Sequence, residues 1–485
     1  MRGMDLGGVW VRDPKEGTLV AAFLWTKFLV RTGIAQWFPS VRQLMQQQPE
    51  YLRFYSDRVI GAPLDALLDE ATFPESNSPD VLHLDLAAPR MEAMPSRPLR
   101  MQEIGRMSRG IPELRQVIAD QTERNTEMSI SADDEILITP GATGALSIAL
   151  DSFLNPGQSV VVFDPTSPLF SVGVRSRRGR IRTVPAWVES DGRLRFPLDR
   201  FAKAMRGARM LMLADPAIPH GGCLASEDLE QIAWWAKRHD VLIYLDETLA
   251  RYRTIPATRH LAAIPETAGR LLLANSLGKS HGQGALRAGW LIGAKPLIRA
   301  ATLTAGLNTA GVPLPCQEMA LSVLRANGDR FAELQQTLDS RRRYLTERLA
   351  LLGLPATPTG VGYSLWISTQ PLGLTGREFA TRLLRDKRVL LGPGDVFGPS
   401  GLNFVRLSFA AEDGRLREGM TRMSEWLMEN YRQVPTIPNA GITEPVPEPM
   451  IDRVSASERN PSSAEGDDVA VESPRPAPSI LRTAV

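Results

Sequence analysis

A lysine and an arginine stand eight positions apart in a segment rich in small residues. Lys279 follows the apolar run 271–274, and Arg287 comes after several glycines. A lysine amine must lose its proton before it can attack an aldehyde, and a nearby cation lowers the amine pKa toward neutrality. A guanidinium can provide that cation while it binds phosphate oxygens through paired hydrogen bonds. These two residue types could support covalent amine chemistry on a phosphorylated compound, although the segment alone is equally typical of a surface loop.

Two more segments could complete such a site. Asp246 ends the apolar run 241–245, and it lies 33 residues before Lys279. The glycine-rich turn at 141–144 follows the apolar run 136–138 and opens a helix-like stretch, so its backbone N–H groups can bind a phosphate. Each signal is weak by itself, since a lone aspartate at a strand end is usually a helix cap and such turns also merely begin helices.

An arginine near the C-terminus stands in a strand-like segment. Arg406 is flanked by apolar residues in the run 404–409 and lies 127 residues after Lys279. A planar guanidinium binds a carboxylate through two parallel hydrogen bonds, and a charge among apolar residues is rarely left unpaired. A carboxylate-bearing ligand is therefore expected here, with an ion pair on the solvent side as the alternative.

Together, these segments resemble the pyridoxal-phosphate-dependent aminotransferase class I/II family, of fold type I, in order and spacing over about residues 81–430. The resemblance implies pyridoxal 5'-phosphate as cofactor, bound to Lys279 as a Schiff base, with Asp246 holding the pyridine nitrogen protonated. It implies an amino acid or 2-oxo acid substrate whose carboxylate pairs with Arg406, and a homodimer. The residues expected to bind the cofactor are Gly141, Ala142, Thr143, Phe170, Asp246, Ser276, Lys279 and Arg287.

The sequence departs from the family at the cofactor ring. Ile218 stands where the family has an asparagine that bonds the ring hydroxyl, and Leu249 replaces a tyrosine that shares this oxygen. Tyr252 is a candidate substitute. Ser167 takes the place of the aromatic residue that stacks on the ring, which leaves Phe170 as the nearest candidate. The chain is therefore expected to be a divergent member.

These departures leave three functional hypotheses open. The first is an aminotransferase in which Lys279 moves the proton between substrate and cofactor. The second is a related pyridoxal-phosphate enzyme that performs elimination, cyclisation, decarboxylation or oxidation in specialised biosynthesis. The third is a non-catalytic descendant that binds the cofactor or a partner, because a fold alone does not secure a function.

The elements that must position these residues indicate an α/β fold. Short, continuously apolar runs alternate with helix-like segments between about 81 and 320, which predicts a large domain with a mainly parallel sheet, of the seven-stranded type, covered by helices. Residues 321–432 are expected to form a smaller α+β domain, and residues 1–80 a helical arm. The proline-rich tail at 433–485 has few aromatic residues and is predicted to be disordered.

Composition excludes several other classes of protein. The 56 lysines and arginines nearly cancel the 54 acidic residues, so no global charge favours nucleic acid. The apolar stretch 19–38 contains Lys27 and Arg31 and is too polar to span a membrane. Five histidines are scattered without paired ligand spacing, so no metal is expected, and only two cysteines occur, Cys223 and Cys316. A cytoplasmic location fits best.

Overall fold

The computed structural model describes Ser78, residues 80–85 and residues 109–431, with gaps at 127, 254–259, 327–328 and 358–360. All of these residues belong to the first of two units of the chain, Met1–Thr436, and the second unit is Ile437–Val485. The predicted disordered tail and nearly all of the predicted N-terminal arm lie outside the described residues.

The described residues alternate between strands and helices. The strands are β1 (Leu82–His83), β2 (Ile136–Thr139), β3 (Ser159–Asp164), β4 (Arg180–Pro185), β5 (Trp187–Val188), β6 (Leu194–Arg195), β7 (Met210–Ala214), β8 (Leu242–Asp246), β9 (Leu271–Ser276), β10 (Gly289–Gly293), β11 (Ser364–Ser368), β12 (Val389–Leu390), β13 (Gly392–Pro393) and β14 (Phe404–Ser408). The α-helices are α1 (Pro112–Thr126), α2 (Gly141–Phe153), α3 (Pro168–Ser176), α4 (Leu198–Met205), α5 (Ser226–Arg238), α6 (Leu277–Ser280), α7 (Lys295–Asn308), α8 (Leu314–Arg325), α9 (Asp329–Leu351), α10 (Gly376–Lys387) and α11 (Asp413–Asn430).

A seven-stranded sheet forms the centre of the large domain. Its strand order is β2-β10-β9-β8-β7-β3-β4. The neighbours from β9 to β4 pair in parallel, whereas β10 runs antiparallel to both β2 and β9. The predicted mainly parallel sheet is confirmed. Because parallel strands end at the same edge, the loops after β7, β8 and β9 lie together.

Helices cover both faces of this sheet. Alternate strand residues point to opposite faces, so Ile243 and Leu245 pack with α1, α4, α5 and α8, while Leu242 and Tyr244 pack with α2, α3 and α7. All four of these strand residues are buried. Burial on both faces is the physical reason for the uninterrupted apolar runs in the sequence.

A smaller, separate core lies towards the C-terminus. The antiparallel sheet β11-β14-β13 packs with α9, α10 and α11. β1 pairs in parallel with β12, and Val81 and Leu84 are buried in this second core. The structure thus places residues 81–84 with the C-terminal elements, whereas the sequence analysis placed them at the start of the large domain. Among the described helices, none is both long enough and apolar enough to cross a membrane.

Candidate active site

Lys279 lies on the short helix α6, directly after the central strand β9. Its Nζ donates a hydrogen bond of 3.4 Å to Thr248 Oγ1, and its backbone oxygen accepts one of 2.7 Å from the Tyr252 hydroxyl. Burial lowers the pKa of the Lys279 amine, the Arg406 guanidinium lowers it further, and the Asp246 carboxylate opposes both. The net effect lowers the pKa of this amine, which is the direction that use of a lysine as a nucleophile requires.

Asp246 ends β8, the strand next to β9. Its Oδ1 accepts two hydrogen bonds from Thr248, one of 2.9 Å from the backbone N–H and one of 2.6 Å from the hydroxyl. Thr248 is buried, and it joins the carboxylate to the lysine amine. Sequence analysis missed this residue because a threonine after a strand usually makes only a local turn.

Arg287 lies beside the N-terminus of α2. Gly141 begins α2 with a φ of 70°, and a Cβ at this position would lie 2.9 Å from Arg287 Nη2. Pro140 precedes the helix without a side-chain cap, and no acidic residue stands in the first turn. A Cβ on Gly289 would lie within 2.8 Å of Gly141 backbone atoms, so glycine is required for β10 to approach this turn. Uncapped N–H groups beside a guanidinium are suited to a phosphate.

Ala142, Thr143 and Ser276 were also predicted to bind the cofactor. Ala142 and Thr143 continue the first turn of α2, half-buried and exposed respectively. Ser276 is buried at the start of α6, and its backbone oxygen accepts a hydrogen bond of 2.5 Å from Ser280. A Cβ on Gly278 would lie 3.6 Å from Gly284, which shows how closely the lysine helix approaches the turn before Arg287.

Arg406 lies on β14, in the antiparallel sheet of the smaller core. Its Nε and Nη2 donate hydrogen bonds of 3.1 and 2.6 Å to the backbone oxygen of Asp85, and its guanidinium lies 5.0 Å from the Phe397 ring centre. Burial raises the pKa of Tyr363 to about 12, an effect that Arg406 opposes and Asp246 reinforces. Tyr363 thus lies within electrostatic range of both residues, and it is a second residue that sequence analysis missed.

Apolar side chains occupy the positions where the sequence departs from the family. Ile218 is buried with Ala214, Trp366 and Phe397, and Leu249 packs against the same cluster. The hydroxyl of Tyr252 donates to the Lys279 backbone, so it holds the lysine helix instead of standing in for the missing ring-hydroxyl partner. We refer to Ile218, Leu249, Trp366 and Phe397 as the apolar wall.

Phe170 is not brought to this site. It is 1% exposed and packs edge-on against Tyr244, with ring centres 6.0 Å apart, in the core beneath α2 and α3. A ring with so little free surface has no face available for stacking on a ligand. Ser167, which precedes α3, is also buried.

A charged network supports the strand ends behind Asp246. Arg253 Nη2 bonds Asp215 Oδ2 at 2.7 Å, and the Asp215 N–H donates to the backbone oxygen of Asp246. His260 contacts the neighbouring Glu247 carboxylate. Burial lowers the pKa of His260, but the charge and hydrogen bond of Glu247 together with the charge of Asp215 outweigh this effect, so the pKa is raised overall. These pairs fix the backbone on both sides of Asp246.

The chain is similar to known proteins in both sequence and fold. The family model described as aminotransferase class I and II matches residues 100–423. The chain is 27% identical over 324 residues to an aspartate aminotransferase of Pyrococcus abyssi, a match that covers 66% of this chain and 83% of that protein. It is 29% identical over 319 residues to an arginine–pyruvate transaminase of Pseudomonas aeruginosa, with coverage of 65% and 80%. The fold is similar to that of N-succinyldiaminopimelate aminotransferase from Mycobacterium tuberculosis, with a TM-score of 0.67, 22% identity, and coverage of 73% and 95%.

Proposed function

The chain belongs to the aminotransferase class I and II family of pyridoxal-phosphate-dependent transferases, and we propose that it transfers an amino group between an amino acid and a 2-oxo acid, with Lys279 as the catalytic lysine. The observation that carries this proposal is the link from the Lys279 amine through Thr248 to the Asp246 carboxylate. A nucleophilic amine and an acid are thereby held on adjacent strand ends, as chemistry at the substrate Cα requires.

The described residues fit pyridoxal phosphate by their donor chemistry. The uncapped start of α2 and Arg287 would hold its phosphate, Asp246 its pyridine nitrogen, and Lys279 its aldehyde carbon. The bound cofactor would supply an electron sink for the charge that develops when the substrate loses a proton from Cα.

The protein's own residues would then bind the substrate and move its proton. Arg406 would exchange the Asp85 backbone oxygen for the substrate carboxylate, because a charged acceptor bonds a guanidinium more strongly than a carbonyl does. The Lys279 amine, whose pKa is lowered by burial, would accept the proton from the substrate Cα and hold it on Nζ for transfer in the next step. The apolar wall would keep water away from these steps.

A second reaction class is favoured by the apolar wall. Ile218 and Leu249 have aliphatic side chains, so neither offers a hydrogen bond to a ring hydroxyl. Such donors stabilise the negative charge of that oxygen and tune the basicity of the lysine–cofactor bond. Their absence at these two positions motivates a different use of the negative charge at the substrate Cα, which would form by loss of a proton or, in decarboxylation, of carbon dioxide. The alternative reactions are elimination, cyclisation, decarboxylation or oxidation, the last with dioxygen as the oxidant.

A homodimer and a cytoplasmic location remain proposals. The homodimer is supported by Leu303 and Leu307, which are 67% and 89% exposed one turn apart on α7. Large apolar side chains that are exposed on the same helix face are typical of protein interfaces. Light scattering of the purified chain, beside a Leu303→Glu, Leu307→Glu double variant, would test the dimer.

One assay separates the two reactions. Purified protein is saturated with pyridoxal phosphate, single amino acids are added, and cofactor absorbance and products are followed together. Release of one 2-oxo acid for each cofactor converted to its amine form is expected. Ammonia, carbon dioxide or peroxide without that conversion would favour the alternative class. Lys279→Ala should abolish the absorbance band of lysine-bound cofactor, whereas Lys295→Ala, at an exposed lysine paired with Asp134, should not. If the wild-type protein also lacks the absorbance band of lysine-bound cofactor, both proposed reaction classes are overturned.

A further inference from the structure

We propose that Thr248 is a positioning residue that orients both the amine of Lys279 and the carboxylate of Asp246, and that its hydroxyl is the required group. The inference rests on the proposed function only in assigning chemistry to these two partners. Thr248 is 1% exposed, and its hydroxyl lies 2.6 Å from Asp246 Oδ1 and 3.4 Å from Lys279 Nζ.

The direction of these hydrogen bonds follows from the groups involved. An ionised carboxylate can only accept, so the single hydroxyl proton points to Asp246. The hydroxyl lone pairs then remain for an N–H of Lys279. A hydroxyl that already donates to a carboxylate is polarised and becomes a better acceptor. Thr248 therefore stabilises the protonated form of the lysine and aims its nitrogen toward the carboxylate.

The same residue fixes which carboxylate oxygen is available. Both the N–H and the hydroxyl of Thr248 donate to Oδ1 of Asp246. Within the part of the chain that the structure describes, no hydrogen bond reaches Oδ2. Two donors on one oxygen restrict rotation of the carboxylate and leave Oδ2 as the acceptor for a ring nitrogen.

A threonine suits this position better than a freely rotating side chain. Its branched Cβ limits χ1, which keeps the hydroxyl in place before any ligand arrives. Leu249 and Ile218 both belong to the apolar wall, and their side chains carry no polar atom that could replace the hydroxyl. Thr248 is thus the polar contact that joins the lysine to the strand-end acid.

The test measures the lysine in cofactor-free protein, so that it does not depend on any turnover. Acetylation of Lys279 by acetic anhydride is followed by mass spectrometry as a function of pH in wild type, Thr248→Val and Thr248→Ser. Thr248→Val keeps the shape but loses the hydroxyl, so the midpoint of the profile should fall by about half a pH unit to one unit. Thr248→Ser keeps the hydroxyl but rotates more freely, so it should bring the midpoint most of the way back to the wild-type value.

Thr267→Val is the matched control. Thr267 is equally buried, and its hydroxyl donates to the backbone oxygens of Leu261 and Ile264, before β9 begins and away from the site. This variant should lose stability without moving the Lys279 profile. An unchanged profile in Thr248→Val, or a Thr248→Ser profile that matches Thr248→Val, overturns the proposal.

A spectroscopic readout keeps the proposal distinct from the proposed function. In protein loaded with pyridoxal phosphate, the pH midpoint of the cofactor absorbance should shift in Thr248→Val and recover in Thr248→Ser. If wild type shows no lysine-bound cofactor, the proposed function fails while the acetylation profiles still decide the role of Thr248.

Discussion

Removal of the Arg287 guanidinium should weaken cofactor binding without weakening the fold. Arg287 is exposed, and its Nη2 donates one long hydrogen bond of 3.4 Å to the Pro140 backbone oxygen. It forms no salt bridge within the described residues. Its φ of 48° lies in the left-handed region, which costs a side chain about 1 kcal/mol relative to glycine. One long hydrogen bond within the described residues does little to offset this conformational cost.

The magnitude follows from the bonds that Arg287 can make with a phosphate. A charge-assisted hydrogen bond contributes about 1.5–3 kcal/mol, and 1.4 kcal/mol is a factor of ten in affinity. Arg287→Gln should thus bind pyridoxal phosphate about 10- to 150-fold more weakly than wild type does. Titration of cofactor-free protein, followed by absorbance, gives both dissociation constants.

Pyridoxal without its phosphate is the control ligand. Its affinity should be nearly equal in wild type and Arg287→Gln, because the phosphate contact is missing in both. Arg287→Gly should bind pyridoxal phosphate as weakly as Arg287→Gln does. Its free energy of unfolding should be about 1 kcal/mol higher than that of Arg287→Gln, because glycine relieves the left-handed strain. Equal losses for both ligands, or no loss for either, would refute a phosphate site at the start of α2.

Three further outcomes are expected. Phe170→Leu should lower the free energy of unfolding by about 1–3 kcal/mol while cofactor affinity, measured by the same titration, stays unchanged; weaker binding in a stable variant would contradict its placement in the core. Glu247→Gln should lower the free energy of unfolding in urea more at pH 6 than at pH 9. The pKa of His260 is raised in the folded protein, so its pairing with Glu247 stabilises the protein below the pKa of the unfolded chain, and this stability is lost as the pH rises through the pKa of the folded protein. Equal losses at both pH values would contradict this reasoning. Tyr252→Phe should cost about 1 kcal/mol and increase hydrogen exchange at the backbone around Lys279, whose oxygen loses its donor, and unchanged exchange would rule this out.

The fold could be predicted because burial leaves a regular trace in the sequence. The uninterrupted apolar runs at β3, β7, β8 and β9 reflect strands that are covered on both faces. The placement of β1 could not be predicted, because a strand of two residues has no periodicity and its partner β12 lies far along the chain. Asp246 and Lys279 were predicted together from the apolar runs that precede them and from the resemblance to the family, and the structure places them at the ends of the adjacent strands β8 and β9.

Other parts of the site depend on contacts that no local pattern encodes. Thr248 acts through the direction of one hydroxyl, and Tyr363 through its distance from residues on other strands. Phe170 was predicted to meet the cofactor ring because of its position after Ser167, but helix α3 turns its side chain into the core. The backbone oxygen that occupies Arg406 was also beyond sequence analysis, since main-chain acceptors carry no sequence signal.

The pairing of β1 with β12 has a consequence for how the protein can be assembled during synthesis. Asp85 and Arg406 are 321 positions apart, yet the backbone oxygen of one holds the guanidinium of the other. During synthesis, Asp85 therefore leaves the ribosome long before Arg406 has been made. The central sheet can form in this interval, whereas β1 cannot pair until β12 has been synthesised. A chain that lacks residues 1–85 would keep every strand of the central sheet, but β12 would lose its partner β1 and the guanidinium of Arg406 would lose the backbone oxygen of Asp85.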